Sequence, residues 1–308
     1  MDSFFSAFQA IGPLFLVIFA GIIVSRNKSV NSQWLEVLNN YALWLGFPAL
    51  ILVALSRLQW DYQLYSNLIV ANSIRIVGSV FLVLPVSAIL KLENRMRRTL
   101  FFAVAFGNVA YLGIPVLRSA WGEAILPEAT MISAVYLFWL FTLGIFMVEF
   151  YGDEKTSFRT LILRLLKNPM LIAVFLGIVI AVNQIKVPEM IMGGLDLVAG
   201  SVTGVVLFSL GLFVGKQSVG KLRDWYPVLA FSVVILFVLP LCVHLISQRF
   251  VDSTVSRTWV LEAAMPLGLT PYALCLKYNL HAEFASRVVV LSTLLALLSL
   301  PLWLVFLK

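Results

Sequence analysis

Charged residues are scarce in this chain. Asp, Glu, Lys and Arg make up 12% of its 308 residues, about half the ~25% usual in a globular protein. Cysteine is scarcer still. Cys242 and Cys275 are the whole supply, and both stand in apolar runs. That excludes a disulfide framework and any cysteine metal-ligand spacing, so both read as buried thiols. His244 and His281 have no acidic or metal-ligating neighbour at useful spacing and read as structural. There is no HExxH, no paired aspartate in a Gly-Asp motif, no Gly-x-Ser-x-Gly elbow and no phosphate-cradling glycine loop, which removes the familiar intramembrane enzymes and leaves no catalytic residue, cofactor or metal to expect. No loop is long enough to form a basic face, so the net charge of +7 does not point to nucleic acid.

What is present is apolar. Hydrophobic residues reach 61%, against about 45–50% in ordinary domains. Runs of roughly 20 such residues recur, each enough to cross a ~30 Å hydrocarbon core. The fold class is therefore all-α and polytopic, with the lipid bilayer as solvent. Ten spans are expected: Phe5–Val24, Trp34–Leu55, Leu64–Leu90, Thr99–Ser119, Glu128–Phe150, Asn168–Val182, Pro188–Val214, Trp225–Ser247, Thr258–Leu280 and Phe284–Leu307. The N-terminal run lacks a basic leader and a small-residue cleavage site, so it reads as a retained first span. Loops after the odd-numbered spans hold fifteen Lys and Arg; the other side holds six, namely Arg57, Arg118, Lys186, Arg249, Arg257 and Lys308. Basic residues collect on the cytoplasmic side, so both termini are expected on the opposite one.

The halves repeat. Pro13 and Pro169, Phe19 and Phe175, Gly21 and Gly177, and Pro115 and Pro271 each stand 156 residues apart. Five spans per half is an odd number, so the halves must run in opposite senses. This divides the chain into a first inverted repeat (1–150), a basic cytoplasmic loop (151–167) and a second repeat (168–308). Inverted repeats with interrupted helices at matching positions point to secondary transporters. The fourth span carries GNVAYLGIPVL (Gly107–Leu117) and the ninth AMPLGLTPYALCL (Ala264–Leu276). Proline removes a backbone donor, which lipid cannot replace, so Pro115 and Pro271 read as the helix breaks. Half-helix N-termini at the breaks favour anions. Asn108 either satisfies freed backbone groups or donates its amide to a carboxylate. Arg75 lies deep in the third span, where it binds an anion or pairs with a carboxylate such as Asp196 or Glu262. Lys277 reads as a snorkelling end anchor, and Glu149 as an interfacial anchor.

Several of these stretches resemble the auxin efflux carrier (AEC) family, a group of membrane transport proteins that includes bacterial organic-acid carriers and the plant PIN carriers. The likeness is densest in NNYALWLGFPAL (Asn39–Leu50), NVAYLGIPVL with WGEA, FSLGLF (Phe208–Phe213) and AAMPLGLTPYALCLKYNLH (Ala263–His281). The long cytoplasmic loop of many plant members is absent; only Tyr151–Lys167 stands there, as in a compact, bacterial-type carrier. The resemblance implies two inverted five-helix repeats with crossover helices four and nine, alternating access in a cell (inner) membrane, and a small organic anion as substrate. It assigns the carboxylate to Asn108, Ile114, Pro115, Thr270 and Pro271, with Phe141 near the substrate. It places Asn72 where plant relatives carry a coupling acid, with Arg75 beside it, and gives Lys277 a coupling or gating role. It also implies a homodimer. The residues leave open coupling to H⁺, Na⁺ or neither, and a channel-like facilitator or substrate sensor on the same fold is the alternative.

Overall fold

Apolar chain in lipid must bond its own backbone groups, and helices do so within one segment. The computed structural model describes residues 2–56, 61–152, 159, 162–163, 166–217, 221–250 and 253–307. Most of the basic 151–167 segment thus lies outside the described residues. Everything regular among them is helical. Seven helices are long and apolar enough to span a bilayer: α1 (Phe4–Val24), α2 (Ser32–Ser56), α3 (Tyr62–Ile89), α6 (Glu123–Phe150), α8 (Glu189–Lys216), α9 (Leu222–Gln248) and α12 (Ala282–Phe306). A shorter apolar helix, α7 (Pro169–Val182), starts behind Asn168, whose Oδ1 accepts from Met170 N and Leu171 N. The two remaining apolar stretches are interrupted. One consists of α4 (Asn94–Ala103) and α5 (109–121), the other of α10 (Ser253–Ala263) and α11 (Leu269–Lys277).

Packing pairs the elements reciprocally. Helix α1 lies along α8 and α7 lies along the second half of α2, while α3 packs on α6 and α9 on α12. The closest approach is between α1 and α8. A methyl carbon built on Gly21 would lie 2.9 Å from the Cα of Gly211, and one on Gly211 would meet the Gly21 Cα at the same distance. Small residues let backbones touch where lipid gives no hydrophobic drive for association. Gly177, 156 residues after Gly21 in sequence, makes the matching contact on the other pair: its added carbon would sit 2.8 Å from Leu55 Cβ.

The interruptions meet. Gly107 and Leu267 form an isolated antiparallel bridge. Asn108 N donates to Pro266 O (2.6 Å) and Gly268 N to Phe106 O (3.4 Å). Each break thus bonds to the other the backbone groups it frees. The prolines do not mark the breaks as the sequence suggested. The first opening covers 104–108 and the second 264–268. Pro115 sits one turn inside α5, where a wide π turn (Val109–Gly113) passes into the α-helical Ile114–Trp121, and Pro271 is the third residue of α11. Pro271, in a first turn, lacks only a donor that had no partner there, and the wide turn precedes Pro115, whose missing donor falls inside the helix. Neither proline lies in an opening; Gly107, Pro266 and Gly268 do.

Candidate functional site

A cavity of about 150 Å³ opens where the two interruptions face each other. Its floor is the two helix starts: Val109, Ala110 and Tyr111 on one side, Leu269, Thr270 and Pro271 on the other. The first helical hydrogen bonds of α5 run from Leu112 N and Gly113 N to Asn108 O, so three N–H groups precede them. Pro271 lacks an N–H, which leaves Leu269 and Thr270 as the donors of the first turn of α11. Both helix starts present partial positive charge to one space.

Asn108 sits between them. It is buried, and its side-chain Nδ2 has no hydrogen-bond partner among the described residues. Its backbone N–H and C=O are both engaged, the former by Pro266 and the latter by α5. Satisfying freed backbone groups is thus done by the Asn108 main chain, and the amide side chain is left over as a donor. An unpaired buried amide is costly, and its place at a cavity wall gives it a use. Phe141, Leu137 and Leu140 of α6 and Leu43 of α2 supply apolar walls. Asn168 also lines the cavity. Nothing in the sequence singles Asn168 out, because a helix cap and a ligand look alike in a chain of letters.

The structure brings Asn108, Thr270, Pro271 and Phe141 together here. Ile114 and Pro115 are buried one turn further into α5 and do not line the cavity. Lys277 is exposed at the end of α11, its Nζ 6.0 Å from the Tyr278 ring centroid. Asn72 is buried on α3 and donates Nδ2 to Leu68 O (2.9 Å). Arg75 reaches from α3 to the first opening, where it donates to Ala105 O (3.2 Å) and lies 4.6 Å over the Tyr136 ring. It lines a second, much smaller cavity together with Glu262, whereas Asp196 is exposed on α8.

The ends of α4, α6 and α11 are clasped. Glu149 is buried and accepts from Tyr278 Oη (2.7 Å), so it holds an inter-helix contact rather than an interface. Arg95 donates to the carbonyls of Asn279 (3.0 Å) and Leu280 (3.0 Å). His281 finds an acid after all: its Nε2 bonds Glu93, a partner 188 positions away that no local spacing reveals.

Apolar spanning helices around a cavity floored by two facing helix starts suit a membrane transport protein. The chain belongs to the family described as membrane transport protein, the auxin efflux carrier family, whose model matches residues 6–304. It is 31% identical over 140 residues (44% of this chain) to "Auxin efflux carrier component 8" of Arabidopsis thaliana. It is 27% identical over 319 residues (93% of this chain) to "Lysosomal cholesterol signaling protein" of Mus musculus. It is 22% identical over 293 residues (92% of this chain) to "Putative malonate transporter" of Rhizobium meliloti (strain 1021). The chain spans 38% and 36% of the length of the plant and murine relatives and 90% of the rhizobial one.

Proposed function

We propose that this protein is a secondary carrier that exports or exchanges small organic carboxylate anions by alternating access. One observation carries the reading: two helix starts and the unpartnered Nδ2 of buried Asn108 converge on a single cavity. Backbone N–H groups and a neutral amide donor suit a carboxylate. At about 150 Å³ the cavity is the size that admits a benzene-sized guest, which favours short-chain acids. The name of the rhizobial relative supports the same class of substrate.

The wider architecture belongs to this proposal. Ten spans form two inverted repeats, residues 1–150 and 168–308, joined by the basic segment. The reciprocal packing of α1 with α8 and of α7 with α2 supports it, as does the matched pair Gly21 and Gly177. The charge bias supports both termini lying outside the cytoplasm in the cell (inner) membrane. A homodimer through the non-crossing helices is part of the same reading.

The test is uptake of labelled malonate and short monocarboxylates by proteoliposomes. Asn108→Ala removes one donor to a charged group, ~1.5–3 kcal/mol, and raises the KM roughly 10- to 100-fold. A wild-type KM in the variant overturns the assignment. One further reading has an observation behind it: the murine relative is named for signaling, which suits a substrate sensor on the same fold. Saturable counterflow across a sealed membrane distinguishes a carrier from a sensor or a channel-like facilitator.

A further inference from the structure

Behind the joint lies a buried acid for which the anion cavity has no use. Glu262 occupies the last turn of α10, one residue before its end. It is 0% exposed, and neither carboxyl oxygen has a hydrogen-bond partner among the described residues. The carboxyl rests directly on the wide turn of α5: a methyl carbon at Gly113 would lie 2.6 Å from Oε2. Glu262 therefore touches the helix start that faces the substrate.

Among the described residues, the cavity beside it is lined by one cation. Arg75, Tyr136 and Glu262 line a cavity of about 10 Å³. In this conformation Arg75 is engaged with Ala105 O and the Tyr136 ring, and its enclosed Nε has no partner. The Tyr136 hydroxyl likewise has none among the described residues. The other titratable groups on the packed elements are elsewhere. Glu128 of α6 accepts from Thr258 (3.2 Å), two residues outside the last turn of α10. His244 of α9 bonds Gln248 and meets the Phe306 ring edge-on, and Cys242 is exposed. Neither α5 nor α12 brings a titratable side chain to this cavity.

An ionised carboxylate with no donor, out of water, is among the costliest arrangements a protein can hold. Two events relieve it: a proton on the carboxyl, or the approach of Arg75 as a donor. With Arg75 Nη2 on Ala105 O, no Arg75 donor is bonded to the Glu262 carboxyl in this conformation. We infer that Glu262 is a proton-coupling site, carrying a proton while Arg75 is held by Ala105 and releasing it when movement of the joint delivers Arg75 to the carboxylate. The step is Glu262–COOH to Glu262–COO⁻, with the proton passing to water on the side that has opened. A metal cation suits the place poorly, since Arg75 shares the cavity and repels it. Tyr136 and Gly107 line both this cavity and the anion cavity, which gives the two events a common wall.

The inference rests on the carrier reading, and two measurements keep their failures apart. The first does not involve transport. Infrared spectra of the protein in lipid across a pH series should contain a protonated-carboxyl band that Glu262→Gln removes and that fades as pH rises. A wild-type protein with no Glu262-dependent band at any pH overturns the proton site, whatever is transported. The second counts protons during malonate uptake into weakly buffered proteoliposomes. About one proton per turnover is expected in the wild type, and in Glu262→Gln the pH dependence of uptake should be lost; Glu262→Asp should retain it with a displaced midpoint. Zero protons per turnover in the wild type, or an unchanged pH profile in Glu262→Gln, overturns the coupling. Absence of carboxylate uptake by the wild type at every pH overturns the carrier reading instead, with the infrared result still deciding on the proton site.

Discussion

At the scale of single residues, the proposed function draws on polar groups that have no partner among the described residues. Asn108 shows how. Its main chain is fully occupied at the joint, so its side chain is free to recognise something else. Replacing Asn108 by Asp should be worse than replacing it by Ala, because like charge then faces the substrate. The order of KM values, wild type below Ala below Asp, is read in the same proteoliposome assay. Tyr278 is a different case. Its hydroxyl serves buried Glu149 across α6 and α11. Tyr278→Phe should lower the thermal midpoint in detergent, by a free energy of about 1–3 kcal/mol, while leaving the KM near that of the wild type. Such roles were only half legible from sequence. Asn108 stood out as a candidate because an amide ahead of a proline is unusual in an apolar run. Glu149 and His281 were not, since their partners come from segments 129 and 188 positions away.

At the scale of elements, two kinds of closeness organise the helices. The long ones approach through glycine. Gly211 of α8 lies against the backbone of α1 at Gly21 and Ile18. Gly211→Leu forces a side chain into backbone, which cannot yield as a side chain would, so its cost belongs at the upper end of ~1–3 kcal/mol. Thermal unfolding in detergent should show that loss, and Gly204→Leu, at an open position on the same helix, should show far less. The interrupted helices approach through backbone pairing instead. Here sequence reading succeeded on existence and missed on position. A proline advertises itself, but Pro115 and Pro271 both lie within helices rather than in the openings. The openings are set by pairing between 104–108 and 264–268, a contact between distant segments that no local pattern encodes. The helices themselves were legible, because long apolar runs leave the backbone few alternatives.

At the scale of the whole molecule, the pairing of elements is reciprocal. As α1 lies along α8, so α7 lies along α2, and Gly21 and Gly177 stand at the two contacts. That reciprocity supports the inverted repeat and the alternating access proposed above. The offset of 156 residues was visible in the sequence. Its spatial meaning was not, because a shared offset gives spacing and not which element lies against which.

The bond between Asn108 N and Pro266 O has a consequence for how the protein is made. During synthesis the ribosome delivers residue 108 to the membrane long before residue 266 exists. Until then the first opening lacks its partner in surroundings that supply few substitutes. The emerging first half is therefore expected to need shelter until the second arrives. Residues 1–150 produced alone should be degraded in the cell, and co-production of 151–308 should restore their level on an immunoblot. Equal accumulation with and without that companion would show that the early half completes itself.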